Sequence, residues 1–496
     1  MTSNSRPDRP TMAGLYAQLA RSLDRIPMRG AHYWIIVLVA FGALFDAIEQ
    51  YNVGYAAPLL IDQWGISKIQ VGLLTTFTFG GMAIGALIAG ISGDLFGRKI
   101  TYMYNLLLYT VGALVAALAP DLTVLLIGRL LVGFGLGGEL NTGLTIVSEL
   151  VPTKRRGASV AVVNIAAGGL GIFASAALAT VILGPLAGPL GGDTVAWRWL
   201  LGLLVIPALL VFFYRRYIPE SPRYLLSKGR VEAANRVLSL LAANRLRASG
   251  DLTVNRYVEG AEGAQAKREK VRLAEIVRGG LLRRTAVIWI VSWMTFGAQV
   301  TITVFMPTVL VSRGFPITSS LLYTTVINIG GLLGAVLASV FGHYWRRRYV
   351  LGYGSLVAVV VAIGFGVSNQ VGLILALGGL LQLMFILLNT TTWVYTPELY
   401  PTRVRAFGTG AAVTVGLASA SLTPLLAGVL FDAFDVVGMF VLVAIMYVIM
   451  AVTVAFGPET HGRSLEQLSE GVGSEHLRDS RQSQTIEAPQ GLPDTE

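Results

Sequence analysis

Long apolar runs recur along this chain, about twelve of them, and basic residues cluster in every second gap between them. A helix needs about 20 apolar residues to cross a ~30 Å hydrocarbon core, and inside lipid the backbone must satisfy its own hydrogen bonds. The runs fall near 33–55, 70–92, 100–119, 122–148, 158–183, 197–217, 285–311, 318–342, 349–367, 371–395, 407–431 and 435–456. The expected class is therefore an all-α membrane protein with twelve transmembrane helices. Only 13% of residues are charged and 54% are hydrophobic, where a soluble domain carries roughly 25% charged residues. A compact soluble enzyme is excluded on that ground.

The net charge of +10 is a matter of topology and does not call for a nucleic-acid partner. Arg6, Arg9, Arg21, Arg25 and Arg29 precede the first run. Arg98-Lys99, Lys154-Arg155-Arg156, Arg346-Arg347-Arg348 and Arg403/Arg405 occupy alternate connections, and the others hold little more than Lys68 and Arg313. Basic loops stay on the cytoplasmic side, so both termini are expected there, in a multi-pass protein of the cell membrane. The first run, from Trp34, is too long for a signal peptide and reads as a retained span. With no cysteine, disulfides and Cys-ligated metals are excluded. No metal or cofactor is expected, and the absence of a Gly-x-x-x-x-Gly-Lys-(Ser/Thr) phosphate loop argues against ATP-driven transport by this chain.

The two halves are related. Glu149-Leu150-Val151-Pro152-Thr153 recurs as Glu398-Leu399-Tyr400-Pro401-Thr402, a shift of 249 residues, and the same shift carries spans one to five onto spans seven to eleven. Duplicated six-span halves place a solute site at their interface, near the membrane midplane. The expected organisation is a cytoplasmic segment 1–32, a six-helix bundle 33–218, a polar linker 219–284, a second bundle 285–457 and a cytoplasmic tail 458–496. The period of apolar residues over 231–246 predicts a short amphipathic helix in the linker. From about Gly471 the composition is that of a disordered tail.

Gly90-Ile91-Ser92-Gly93-Asp94-Leu95-Phe96-Gly97-Arg98-Lys99 resembles the loop motif of the major facilitator superfamily, with Leu95 where a basic residue is usual. Pro219-Glu220-Ser221-Pro222-Arg223, Pro458-Glu459-Thr460-His461-Gly462-Arg463 and the block Arg129, Gly133, Gly135, Glu149, Pro152, Arg156 resemble phrases of its sugar-porter and organic-solute branches. The resemblance covers about residues 30–466. It implies the two-bundle fold and transport of a small molecule by alternating access, the chain acting as a monomer in the bilayer.

Four charges lie inside spans: Asp46 and Glu49 in span one, Arg129 and Glu139 in span four. Each costs about 2.5–3.5 kcal/mol on insertion scales, which makes it a functional candidate. Their counterparts at +249 are uncharged: Thr295, Ala298, Gly378 and Leu388. Asp46 and Glu49 share one helix face. They stand ~20–24 Å above Tyr33, and Arg129 ~10–12 Å below Leu122, which puts all three at similar depth in the outer half. Arg129 cannot readily deprotonate, so a carboxyl must be the titrating partner. The resemblance agrees, because proton-coupled sugar porters pair a span-one acid with the span-four arginine. Asp46-Ala47-Ile48-Glu49 also resembles the Asp-Gly-x-Asp phrase of aromatic-acid/proton symporters, with Ala47 in place of Gly. Glu49 is favoured over Asp46 as the proton carrier.

Asn164 and Trp393 match cargo-contacting positions of sugar porters; Glu139, Asn141, Gln299, Asn328 and Asn389 are further cavity candidates. Glu139 is expected to face water or cargo. Met294, Thr295 and Val300 replace the amide phrase of hexose porters, which argues against an ordinary hexose. At the cytoplasmic ends, Asp94, Arg98, Lys99, Glu149, Arg156, Glu398 and Arg405 are expected to form a gate of ion pairs. The function expected is proton-coupled uptake of a sugar-like compound, organic acid or aromatic acid. Proton-coupled efflux is the rival, but its Gly-rich span-five phrase has only an incomplete match, Gly184–Gly192, in a loop.

Overall fold

The computed structural model describes residues 12–247, 252–259, 273–342, 344–401 and 403–460. Ten of its helices are long and apolar enough to cross a bilayer. One of them, Arg405–Val454, contains two spans: at Asp435 the backbone leaves helical geometry, with φ 57° and ψ −158°. Span six completes the set in pieces, as helix Asp193–Gly202, a tighter 3-10 stretch Leu203–Leu209 and helix Leu210–Tyr217. Pro207 lies in the tight stretch and has no N–H to give to a helical ladder. Two six-span bundles result, joined by the linker.

Span one runs from Gly30 to Trp64, 35 residues, and continues through Pro58. Asp46 and Glu49 therefore sit at mid-length and not in the outer half. The apolar stretch beyond Tyr55 prolongs the helix past the expected end at 55, and Gly65 closes it in the left-handed conformation at φ 63°.

Glycine sets the spacing inside each bundle, and does so twice. A Cβ on Gly81 of span two would lie 2.5 Å from the Leu130 carbonyl oxygen of span four, and one on Gly334 of span eight 2.5 Å from that of Leu383 in span ten. Gly330 and Gly334, at +249 from Gly81 and Gly85, keep the same close backbone approach. Small residues stand in lipid for the hydrophobic force that is missing there, because they let helices pack at van der Waals distance.

The basic face of the first bundle is capped. The expected amphipathic helix is present at Val231–Ala242. A helix over Met12–Arg25 was not anticipated; Leu15, Leu19 and Leu23 form its buried stripe, and Ile26 just past its end is also buried. Ser22 Oγ donates to the Tyr257 carbonyl at 2.9 Å, and the Ala31 N–H donates to Asn244 Oδ1 at 2.8 Å, tying N-terminus and linker together.

The bundles meet in the half away from the basic loops. Thr76 Oγ1 in span two donates to the Ser421 carbonyl of span eleven at 2.6 Å, and Ser421 Oγ returns a bond to the Thr76 carbonyl at 3.0 Å. Thr180 and Thr325 join spans five and eight at 2.8 Å, and Asn328 Nδ2 donates to Tyr55 Oη at 3.1 Å. Lys68 Nζ stands 3.8 Å from Asp432. Nearer the basic loops, Gly157 of span five and Gly410 of span eleven have nothing within 4 Å of an added Cβ. The described cross-bundle contacts thus close one face and leave the basic face apart.

Candidate solute and proton site

Mid-membrane, between spans one, two and four, the Arg129 guanidinium uses three donors. Nη1 reaches Glu49 Oε1 at 2.6 Å, Nη2 the Glu49 backbone carbonyl at 3.1 Å, and Nε the Thr78 hydroxyl at 3.0 Å. Both side chains of the ion pair are fully buried. The rigid fork of arginine suits this threefold grip, which a lysine ammonium would not reproduce. Glu49 Oε2 has no hydrogen-bond partner among the described residues. Charge is thus compensated while one carboxylate oxygen stays unsatisfied. Removing either partner would leave the other charge bare in low dielectric, at a cost of about 3–5 kcal/mol.

One turn nearer the basic face lies a second group of acids. The Asp46 and Glu139 carboxyls are side by side, with Asp46 nearly and Glu139 completely buried. Glu139 is thus placed inside the first bundle, where the Tyr102 hydroxyl faces it, and not on an open wall where water or cargo would reach it. Tyr102 and Tyr214 hydroxyls are 3.0 Å apart, and Tyr214 donates onward to the Leu38 carbonyl. Gly42 makes room for this cluster, since a Cβ there would lie 2.8 Å from the Tyr214 hydroxyl and 3.1 Å from Glu139 Oε1.

The other cavity candidates separate into groups. Trp393 of span ten stands 5.9 Å, ring to ring, from Phe296 of span seven. Together with Ser292, Thr392, Thr396 and Thr409 they line a narrow recess of about 10 Å³. Asn164 is exposed, at the junction of span five with a π-helical turn, Ile165–Leu170. Asn389 is half-buried and Gln299 buried. Asn328 is engaged in the cross-bundle bond to Tyr55. The side chain of Asn141 lies outside the described residues.

At the basic face each bundle carries the same brace. Arg98 Nε lies 3.8 Å from Glu149, and Arg347 Nη2, its counterpart at +249, lies 3.6 Å from Glu398. Ser221 donates to Glu149 and Thr460 donates to Glu398, the latter at 2.5 Å. The sequence neighbours Arg156 and Arg405 are not the described ion-pair partners of these acids. The helix holding Glu149 ends at Leu150, and the next one, starting at Thr153 after Pro152, carries Arg156 away. Arg405 Nε instead donates to the Tyr400 carbonyl at 3.3 Å. Asp94 pairs with Arg98 at 2.7 Å.

Sequence reading missed Glu220. Its Oε1 accepts the backbone N–H groups of Arg98 at 3.0 Å and Lys99 at 3.3 Å, capping the start of span three. Gly97 is required there, with φ 106° and a Cβ position that would run into the Glu220 carboxylate. The only advance signal was the Pro-Glu-Ser-Pro-Arg phrase itself. Lys68 and Asp432 were missed as a pair because neither carries a motif.

The sequence pattern described as "Sugar (and other) transporter" matches residues 30–471. Among curated relatives, the niacin transporter NiaP of Acinetobacter baylyi is 29% identical over 91% of this chain and 99% of its own length. The inner membrane metabolite transport protein YdjE of Escherichia coli is also 29% identical, over 92% and 99%. The fold is similar to a solved D-xylose–proton symporter, with TM-score 0.67 at 18% identity over 87% of this chain and 99% of that one. It is also similar to the inward-open xylose transporter XylE from E. coli, with TM-score 0.65 at 18% identity over 88% and 99%. The chain belongs to the sugar (and other) transporter family of the major facilitator superfamily, as a multi-pass membrane transporter of sugars or other metabolites.

Proposed function

We propose that the protein is a proton-coupled symporter that takes up a small polar organic metabolite, with Glu49 as the proton carrier and Arg129 as its counter-charge. The observation that carries this reading is the fully buried Glu49–Arg129 pair at 2.6 Å. Such a pair is costly to place in lipid and is the one strong charge contact described deep in the bundle. By the positive-inside rule the basic face is cytoplasmic, so the described state is open inward. In that state Glu49 is ionised and held by Arg129. Facing outward, Arg129 is drawn away by solute or helix motion and Glu49 takes up a proton; re-forming the pair inside expels it.

Aromatic acids stand first among solutes, ahead of sugar-like compounds and other organic acids. Phe296 and Trp393 offer a ring platform in the second bundle, and the hexose amide phrase is missing. The likeness to a niacin transporter supports the same order. Asn164, Gln299 and Asn389 are assigned to polar contacts with the solute, and the braces of Arg98–Glu149 and Arg347–Glu398 to gating at the cytoplasmic side.

The test adds nicotinate, xylose and glucose separately to lightly buffered vesicles holding the protein. The medium should alkalinise with the transported solute, and Glu49→Gln should abolish that signal while preserving exchange of labelled solute. Alkalinisation unchanged in Glu49→Gln would remove Glu49 as the carrier. Acidification would instead indicate antiport.

A further inference from the structure

We propose that Asp46 and Glu139 form a second proton-binding site inside the first bundle, which receives the proton from Glu49 and passes it to the cytoplasmic side. This rests on the reading of Glu49 as the carrier and adds a station that the reading does not require.

Helix geometry brings the two acids together. Side chains tilt toward the N-terminus of their own helix. Span one runs away from the basic face and span four toward it, so the Asp46 and Glu139 side chains converge from opposite directions. Their carboxyls lie side by side, and none of the four oxygens has a hydrogen-bond partner among the described residues. Two ionised carboxylates so placed repel each other, and the Tyr102 hydroxyl that faces Glu139 carries no positive charge to offset them. A proton held between them turns the same contact into a hydrogen bond.

A tyrosine points the same way. The Tyr109 hydroxyl is fully buried, has no partner among the described residues, and lies within electrostatic reach of Glu139, Asp46 and Glu49. Such a hydroxyl, buried near three acids, adds to the polar character of this cluster. The other titratable groups that face the pair among the described residues are Glu49 from span one, Tyr102 from span three and Tyr214 from span six.

The order along the membrane fits a relay. Asp46 lies three residues nearer the basic face than Glu49, ~4.5 Å along the helix. In the step proposed, the O–H bond of protonated Glu49 breaks and the proton joins the singly protonated, singly negative Asp46–Glu139 pair. Glu49 becomes the carboxylate that Arg129 holds in the described state, and the pair becomes neutral. The pair then releases one proton to the cytoplasm and regains its single negative charge. Proton number and charge balance at each stage.

The test needs no solute: infrared difference spectra of the purified protein as pH is raised, in light and heavy water. Wild type should lose two buried carboxylic-acid C=O bands. Glu49→Gln should remove one, and Glu139→Gln and Asp46→Asn should each remove the other. Tyr102→Phe should shift the midpoint of the second band and keep its amplitude. If Glu139→Gln and Asp46→Asn, both folded by circular dichroism, retain both bands, the second site is overturned while Glu49 stands. If only Glu49→Gln leaves the spectrum unchanged, the carrier reading fails and the acid pair survives. A single titrating band in wild type, lost in Glu49→Gln, also overturns the second site.

Discussion

Gly54 of span one and Val304 of span seven meet backbone to backbone: a Cβ on Gly54 would stand 2.7 Å from the Val304 carbonyl oxygen. Residue 304 is the +249 counterpart of Tyr55, so the two halves touch at nearly equivalent positions. No flexible side chain is available there to yield, and Gly54→Leu should therefore force the outer ends apart. The chain has no cysteine, so a single Thr325→Cys reports on that side alone. Labelling by an impermeant maleimide from outside should rise several-fold on adding Gly54→Leu. Unchanged labelling would mean that the outer contact does not control access.

Lys68 and Asp432 close the same side more weakly. The pair is 3.8 Å apart and about a third exposed, Lys68 also lies 4.2 Å from the Phe431 ring centre, and the Ile69 N–H donates to Asp432 at 3.3 Å. A wet pair of this kind contributes about 0–1 kcal/mol, equivalent to at most about a fivefold change in population. Asp432→Asn should raise outside labelling of Thr325→Cys by no more than that, and added salt should produce part of the same rise in wild type. A tenfold effect would show that Asp432 does more than pair.

The grip on Glu49 depends on shape as well as charge. Arg129→Lys keeps the cation but cannot satisfy Glu49 Oε1, the Glu49 carbonyl and Thr78 together. Solute accumulation driven by a proton gradient should fall by tenfold or more. Thr78→Val removes a neutral acceptor from the charged guanidinium, worth about 1.5–3 kcal/mol, and should slow coupled uptake less than Arg129→Lys does. Equal loss in the two variants would show that the Thr78 hydroxyl, and not the fork, dominates the contact.

Much of this was legible in the sequence, for a physical reason: lipid leaves few choices. Run length gave the spans, and the +249 shift gave their register across the two halves, even though Arg405–Val454 is bent only at Asp435. Glu49 and Arg129 stood out because charge in hydrocarbon is expensive, and they are in contact. Their depth was misjudged, since nothing local marks where an apolar helix passes from membrane to water. Glu139 was expected to face water or cargo because a carboxylate inside a span needs compensation, and nothing local in the sequence signals that Tyr102 and Tyr214 stand beside it. The Met12–Arg25 helix had its signal in Leu15, Leu19 and Leu23, obscured by the basic charge around it. Pairs such as Lys68–Asp432 join residues far apart in the sequence, and no local pattern encodes such a contact.

The paired braces at the basic face allow a test that separates gating from simple stability. In the described state Glu149 and Glu398 are each held within their own bundle, by Arg98 with Ser221 and by Arg347 with Thr460. If these acids also latch the two bundles when the cytoplasmic side closes, Glu149→Gln with Glu398→Gln weakens the closed state more than the open one. A Gly410→Cys reporter, at a position with open space around it, should then be labelled more from the cytoplasmic side in inside-out vesicles. The increase should be several-fold, since the bias comes from both acids together. A purely structural role predicts a lower Tm of the purified double variant with labelling unchanged.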